Sequence, residues 1–93
     1  MMTTQCMDLS QHLASDEDFL LFTTDVCWYC VRAKRALEAK GLTYTEVDAH
    51  QDREAHMEAT VQTGWRTVPV IYDLRGEEPI FVGGSDELIE LLK

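Results

Sequence analysis

Positive charge is scarce in this chain of 93 residues: 8 lysines and arginines stand against 17 aspartates and glutamates, a formal net charge of −9. A field of that sign repels nucleic acid and anionic lipid surfaces, which excludes both as general partners. Any anionic substrate must then be met by a local cluster of positive groups. Long apolar runs are missing too. No stretch approaches the ~20 residues that cross a bilayer. The opening Met1-Met2-Thr3-Thr4-Gln5-Cys6 lacks the basic region and apolar core of a secretory signal. The expectation is a soluble, cytoplasmic protein. Cysteine is sparse, at positions 6, 27 and 30. An odd count with one close pair is no disulfide framework, and in a reducing compartment such a pair is more often catalytic or metal-binding than structural.

What is present suffices for one domain spanning 1–93. The hydrophobic fraction of 45% is ordinary for a globular protein, and no repeat or low-complexity segment appears. The pattern over 8–14 allows a short extra N-terminal helix, with Leu9 and Leu13 on one face. Phe19-Leu20-Leu21-Phe22 is a continuous apolar run of the kind found in a buried central strand. A helix is predicted from about Trp28 or Tyr29 to Lys40, with Cys30, Ala33 and Leu37 on its inner face and Gly41 ending it. Leu42 to Val47 reads as a second strand. Asp52 is placed to cap a helix running to Gly64, with Met57 and Val61 as its expected buried residues. Val68 to Tyr72 and Pro79 to Val82 read as an antiparallel hairpin. Ser85 is expected to cap a last helix whose apolar face is Leu88, Ile89, Leu91 and Leu92. A helix between the first two strands demands a crossover and a parallel pair. The fold class is therefore α/β, a mixed four-stranded sheet flanked by helices.

Cys27-Trp28-Tyr29-Cys30 falls between the first strand and the helix that follows it. At a helix N-terminus the first sulfur meets unpaired backbone N–H groups and the positive end of the dipole. Both favour thiolate over thiol, so Cys27 is the candidate nucleophile, and Cys30, one turn inward, is the candidate resolving thiol. The alternatives are half of a zinc site or two inert core thiols. Structural zinc takes four ligands, and Cys6, His12, His50 and His56 show no ligand-like spacing. Asp25, two residues before Cys27, would raise the thiol pKa if it faced the sulfur. Thr67-Val68-Pro69 is a second candidate element. A trans bond is the default on sequence alone, since only about 5% of X–Pro bonds are cis. A cis bond would turn the Val68 backbone outward for strand-like pairing with a peptide.

Three blocks resemble the glutaredoxin family: Cys27-x-Tyr29-Cys30-Val31-Arg32-Ala33-Lys34, Thr63-Gly64-x-Arg66-Thr67-Val68-Pro69 and Gly83-Gly84-Ser85-Asp86. They occur in family order, and the resemblance covers about residues 19–92. It implies a thioredoxin-like fold, a cis bond before Pro69, and glutathione as co-substrate. Tyr29, Arg66, Thr67, Val68 and Pro69 are the glutathione contacts it implies on one side. Gly84, Ser85 and Asp86 are those on the other. Three positions depart from the family pattern: Thr24 stands where a lysine is common, Trp28 where proline is common, and Trp65 where glutamine is common.

The implied activity is reduction of glutathione mixed disulfides and protein disulfides by a monomer, through Cys27 and Cys30. One alternative is an electron donor to ribonucleotide reductase recharged by thioredoxin reductase. Another, of a different class, is a carrier of an iron–sulfur cluster ligated by Cys27 and glutathione. Outside that case no metal is expected. Cys6 has no assigned role.

Overall fold

The four apolar residues from Phe19 to Phe22 form the middle of the molecule, and all are fully buried. A computed structural model describes residues 8–93. Cys6 lies outside the described residues. The elements in chain order are α1 (Leu9–Leu13), β1 (Phe19–Thr23), α2 (Trp28–Ala39), β2 (Tyr44–Asp48), α3 (Arg53–Thr63), β3 (Val70–Asp73), β4 (Ile80–Gly83) and α4 (Ser85–Leu91). The sheet order is β2-β1-β3-β4. Strand β1 pairs parallel with β2, from Phe19 opposite Tyr44 to Thr23 opposite Asp48. It pairs antiparallel with β3, and β3 pairs antiparallel with β4. This is the mixed, helix-flanked, thioredoxin-like fold expected from the sequence.

A strand alternates its side chains between two faces, so a central strand must be apolar on both. Leu20 and Phe22 point into a core with Leu9, Val47, Ala55, Ala59, Val70 and Tyr72, under α1 and α3. Phe19 and Leu21 point the other way, to Ala33, Leu37, Ile71 and Leu88, under α2 and α4. The two helix pairs therefore cover opposite faces.

Four details differ from the sequence reading. Met57 and Val61 are exposed at 65% and 77%, whereas Ala55 and Ala59 of α3 are fully buried. The small alanines let the helix approach the sheet closely, and the larger pair faces outward. Strand β2 starts two residues later than predicted, because the Leu42 N–H donates to the Leu37 carbonyl at 3.0 Å and prolongs the helix terminus. Strand β3 starts at Val70, opposite Phe22, rather than at Val68. Leu91, expected on the inner face of α4, is 46% exposed.

His56 of α3 places its ring 5.8 Å from that of Phe22, and its Nε2 is buried without a partner. Burial, reinforced by His50, pushes its pKa below the ordinary 6.5. The unfolded chain thus takes up a proton as pH falls through about 6.5 while the folded protein resists it. Stability contributed by the neutral ring is present above that pH and lost below it. The drop in thermal midpoint between about pH 7.5 and 5.5 is expected to be smaller in His56→Gln than in the parent. Equal drops in the two proteins would refute this.

Candidate active site

Strand β1 delivers the chain to a short exposed loop that ends at Cys27, the N-cap of α2. Cys27 has extended backbone angles (φ −146°, ψ 103°), and the Cys30 N–H donates to its Sγ at 3.1 Å. The sulfur thus holds the place that a serine or aspartate oxygen takes at other helix starts. A backbone donor in that position favours negative charge on the sulfur. Cys27 is half-buried and Cys30 only 1% exposed. The two are joined by a disulfide, with Cα atoms 5.2 Å apart. Asp25 is exposed in the preceding loop.

The second block reaches this sulfur from across the sheet. Gly64 closes α3 with φ 75°, a left-handed conformation natural to glycine, and turns the chain toward the active site. The Val68–Pro69 bond is cis. The Val68 carbonyl oxygen lies 3.8 Å from Cys27 Sγ.

A cleft of about 620 Å³ opens beside these groups. Tyr29 lines one side, and Trp65, Arg66, Thr67, Val68 and Pro69 line the next. Gly84, Ser85, Asp86 and Glu87 complete it. The three blocks picked out in the sequence thus share one space, with every suspected contact residue on its wall. Gly84 has a spatial reason to lack a side chain. A Cβ there would stand 3.2 Å from Trp65 Cζ2.

The wall departs from expectation at its helix cap, and it adds Glu87 and the Arg32 partner of Asp86 to the expected residues. The N-cap of α4 is Gly84, not Ser85, and Ser85 is buried as the first helical residue. Glu87 lines the cleft, and its Oε1 accepts the Gly84 N–H at 3.0 Å. An acidic residue three positions after the cap is a recognised sequence signal, so Glu87 pointed to Gly84 from the start. Asp86 is ion-paired through Oδ1 with Arg32 of α2, in a largely solvated setting. Such a pair contributes little stability, but it orients the carboxylate. Trp65 both walls the cleft and packs edge-on against Phe81 at 5.8 Å. Among the described residues no three histidine, cysteine or acidic side chains are grouped as metal ligands.

A sheet of this topology that presents one sulfur of a Cys-x-x-Cys pair beside a cis-proline is equipped for thiol–disulfide exchange. It places the protein among the thioredoxin-fold thiol–disulfide oxidoreductases. The comparisons with known proteins narrow the class. The glutaredoxin family model matches residues 19–77. A glutaredoxin of Pseudomonas aeruginosa is 38% identical over 69 residues, which is 74% of this chain and 77% of that one. The solution structure of a glutaredoxin from Brucella melitensis aligns with a TM-score of 0.61 at 32% identity, covering 84% of this chain and 82% of that chain. A buckwheat glutaredoxin–glutathione complex aligns with a TM-score of 0.72 at 25% identity, covering 87% of this chain and 73% of that chain. The chain belongs to the glutaredoxin family.

Proposed function

We propose that the protein reduces glutathione mixed disulfides and protein disulfides with glutathione as reductant. The carrying observation is that the Cys27 sulfur adjoins a single cleft walled by Arg66–Pro69 on one side and Gly84–Asp86 on the other. A peptide thiol laid along the Val68 backbone brings its sulfur to Cys27. Arg66 meets the glycyl carboxylate, and Asp86, held by Arg32 on Oδ1, meets the γ-glutamyl ammonium. Gly84 and Ser85 take the remaining carboxylate. The buckwheat complex supports this reading, since a relative of the same fold binds glutathione.

In the monothiol route, Cys27 thiolate attacks the glutathione sulfur of the mixed disulfide. The protein thiolate leaves and takes a proton from water. A second glutathione thiolate attacks the Cys27–glutathione bond, giving oxidised glutathione and free Cys27. In the dithiol route, Cys27 attacks a protein disulfide and Cys30 displaces the product thiol. The enzyme disulfide that results, the form seen here, is returned to dithiol by two glutathiones.

The test is turnover of a glutathionylated substrate with NADPH, glutathione and glutathione reductase, set against NADPH and thioredoxin reductase. NADPH oxidation through the glutathione system is expected. Asp86→Asn is expected to raise KM for glutathione about tenfold while kcat changes by less than ~2-fold. Recharging by thioredoxin reductase and not by glutathione would overturn the proposal in favour of a ribonucleotide-reductase type of donor.

A further inference from the structure

Seven large hydrophobic side chains are conspicuously exposed among the described residues, and three of them, Val26, Trp28 and Tyr29, surround Cys27. Tyr29 turns into the cleft, but Val26 and Trp28 are not part of its lining. Their exposures are 96% and 69%, and neither belongs to either core cluster. Folding does not explain them. What sets them apart from the other exposed apolar side chains is position: they flank the attacking cysteine, where anything bonded to it must come close.

We propose that Val26 and Trp28 select the protein half of the substrate. The favoured partner segment carries large apolar residues next to its reacting cysteine and basic residues flanking them. The proposal rests on Cys27 as the sulfur that meets substrate, and it is independent of which reductant recharges the enzyme. The geometry is covalent in origin. When Cys27 bonds to a protein cysteine, the two sulfurs are ~2 Å apart, so neighbours of that cysteine are pressed against neighbours of Cys27. Val26 and Trp28 are those neighbours, flanking Cys27 in the chain and outside the cleft lining. An apolar residue there removes the Trp28 ring from water, and aromatic rings carry much of the energy of small interfaces.

Charge selects the rest of the segment. The chain carries −9, and Asp25 is exposed immediately before Val26. Basic flanks are therefore drawn to this rim and acidic ones repelled. A second copy of the chain is the wrong occupant on the same ground, because it would bring −9 against −9.

The experiment is single-turnover oxidation of the full-length reduced protein by three disulfides. Two are disulfide-linked dimers of the peptides Lys-Leu-Cys-Leu-Lys and Glu-Ser-Cys-Ser-Glu, and the third is bis(2-hydroxyethyl) disulfide. In each case the enzyme dithiol becomes a disulfide and the substrate becomes two thiols, so no other reductant is involved. Dividing each parent rate by the variant rate cancels the intrinsic reactivity of the disulfide. For Trp28→Ala this ratio is expected to be about 10 on the basic apolar peptide and about 1 on the other two. Val26→Ser should give a ratio of about 3 on the first peptide, and Trp28→Phe should retain most of the rate. Raising ionic strength from about 0.02 to about 0.5 M should slow the basic peptide and leave the small disulfide unchanged. A ratio that is the same for all three disulfides overturns the proposal, as does self-association of the protein that Trp28→Ala abolishes. Inertness of the parent toward all three would remove the Cys27 assignment itself, and this inference with it.

Discussion

Cys27→Ser is expected to lower turnover of both glutathione mixed disulfides and protein disulfides to the uncatalysed level, a loss of at least about a thousandfold. Cys30→Ser should separate the two reactions. It is expected to stop reduction of protein disulfides and to leave removal of glutathione from a mixed disulfide within about threefold of the parent rate. The asymmetry follows from what each residue supplies. Cys27 provides the half-buried sulfur beside the cleft. Cys30 provides two separate things: a buried thiol for the dithiol route, and a backbone N–H directed at Cys27 Sγ at 3.1 Å. Serine removes the thiol and keeps the N–H. The thiolate of Cys27 should therefore remain favoured in Cys30→Ser, with a pKa below the free value of ~8.5 when followed by the pH dependence of alkylation. Two results would defeat the assignment. One is Cys27→Ser with normal turnover, and the other is an unperturbed thiol titration in Cys30→Ser.

The parts of the site that were legible in the sequence are those set by local rules. The Cys-x-x-Cys spacing at a strand–helix junction, the proline at a strand entry and the glycine pair before the last helix all act within a few residues. Their gathering around one cleft followed from a family resemblance rather than from periodicity. The illegible parts depend on tertiary choice. On α3, Ala55 and Ala59 share the same four-residue spacing as Met57 and Val61, offset by two positions. Side-chain size pointed to the second pair, but the structure buries the first and leaves the second exposed. The partner of Asp86 is Arg32, 54 residues away, and nothing local announces it. The end strand of a sheet behaves likewise. The strand propensity of 42–47 is real, yet its first residues are claimed by the helix terminus.

The same blindness to distant partners hid the buried pair that Asp52, expected only as a helix cap, makes with His12. His12 reads in sequence as a stray histidine. In the structure it is buried at 8% exposure, edge-on to Phe22, with Nε2 2.7 Å from Asp52 Oδ2. Asp52, 7% exposed, also accepts the Ala55 N–H through Oδ1 and so caps α3. Asp52→Ala therefore removes a helix cap and strands a buried imidazole nitrogen. The cap is worth about 1 kcal/mol, and an orphaned buried polar group about 1–3 kcal/mol. A total of roughly 2–4 kcal/mol is a large share of the ~5–15 kcal/mol that holds a domain of this size. The thermal midpoint should fall by roughly 10 °C or more. Catalysis should not follow it. His12, Asp52, α1 and α3 cover one face of the sheet, while α2 and α4, which carry Cys27 and Asp86, cover the other. At a temperature where Asp52→Ala remains folded, kcat and KM for glutathione should match the parent. A variant that lost activity while folded would show that the two faces are coupled through β1, and an unchanged midpoint would show that the buried pair adds nothing.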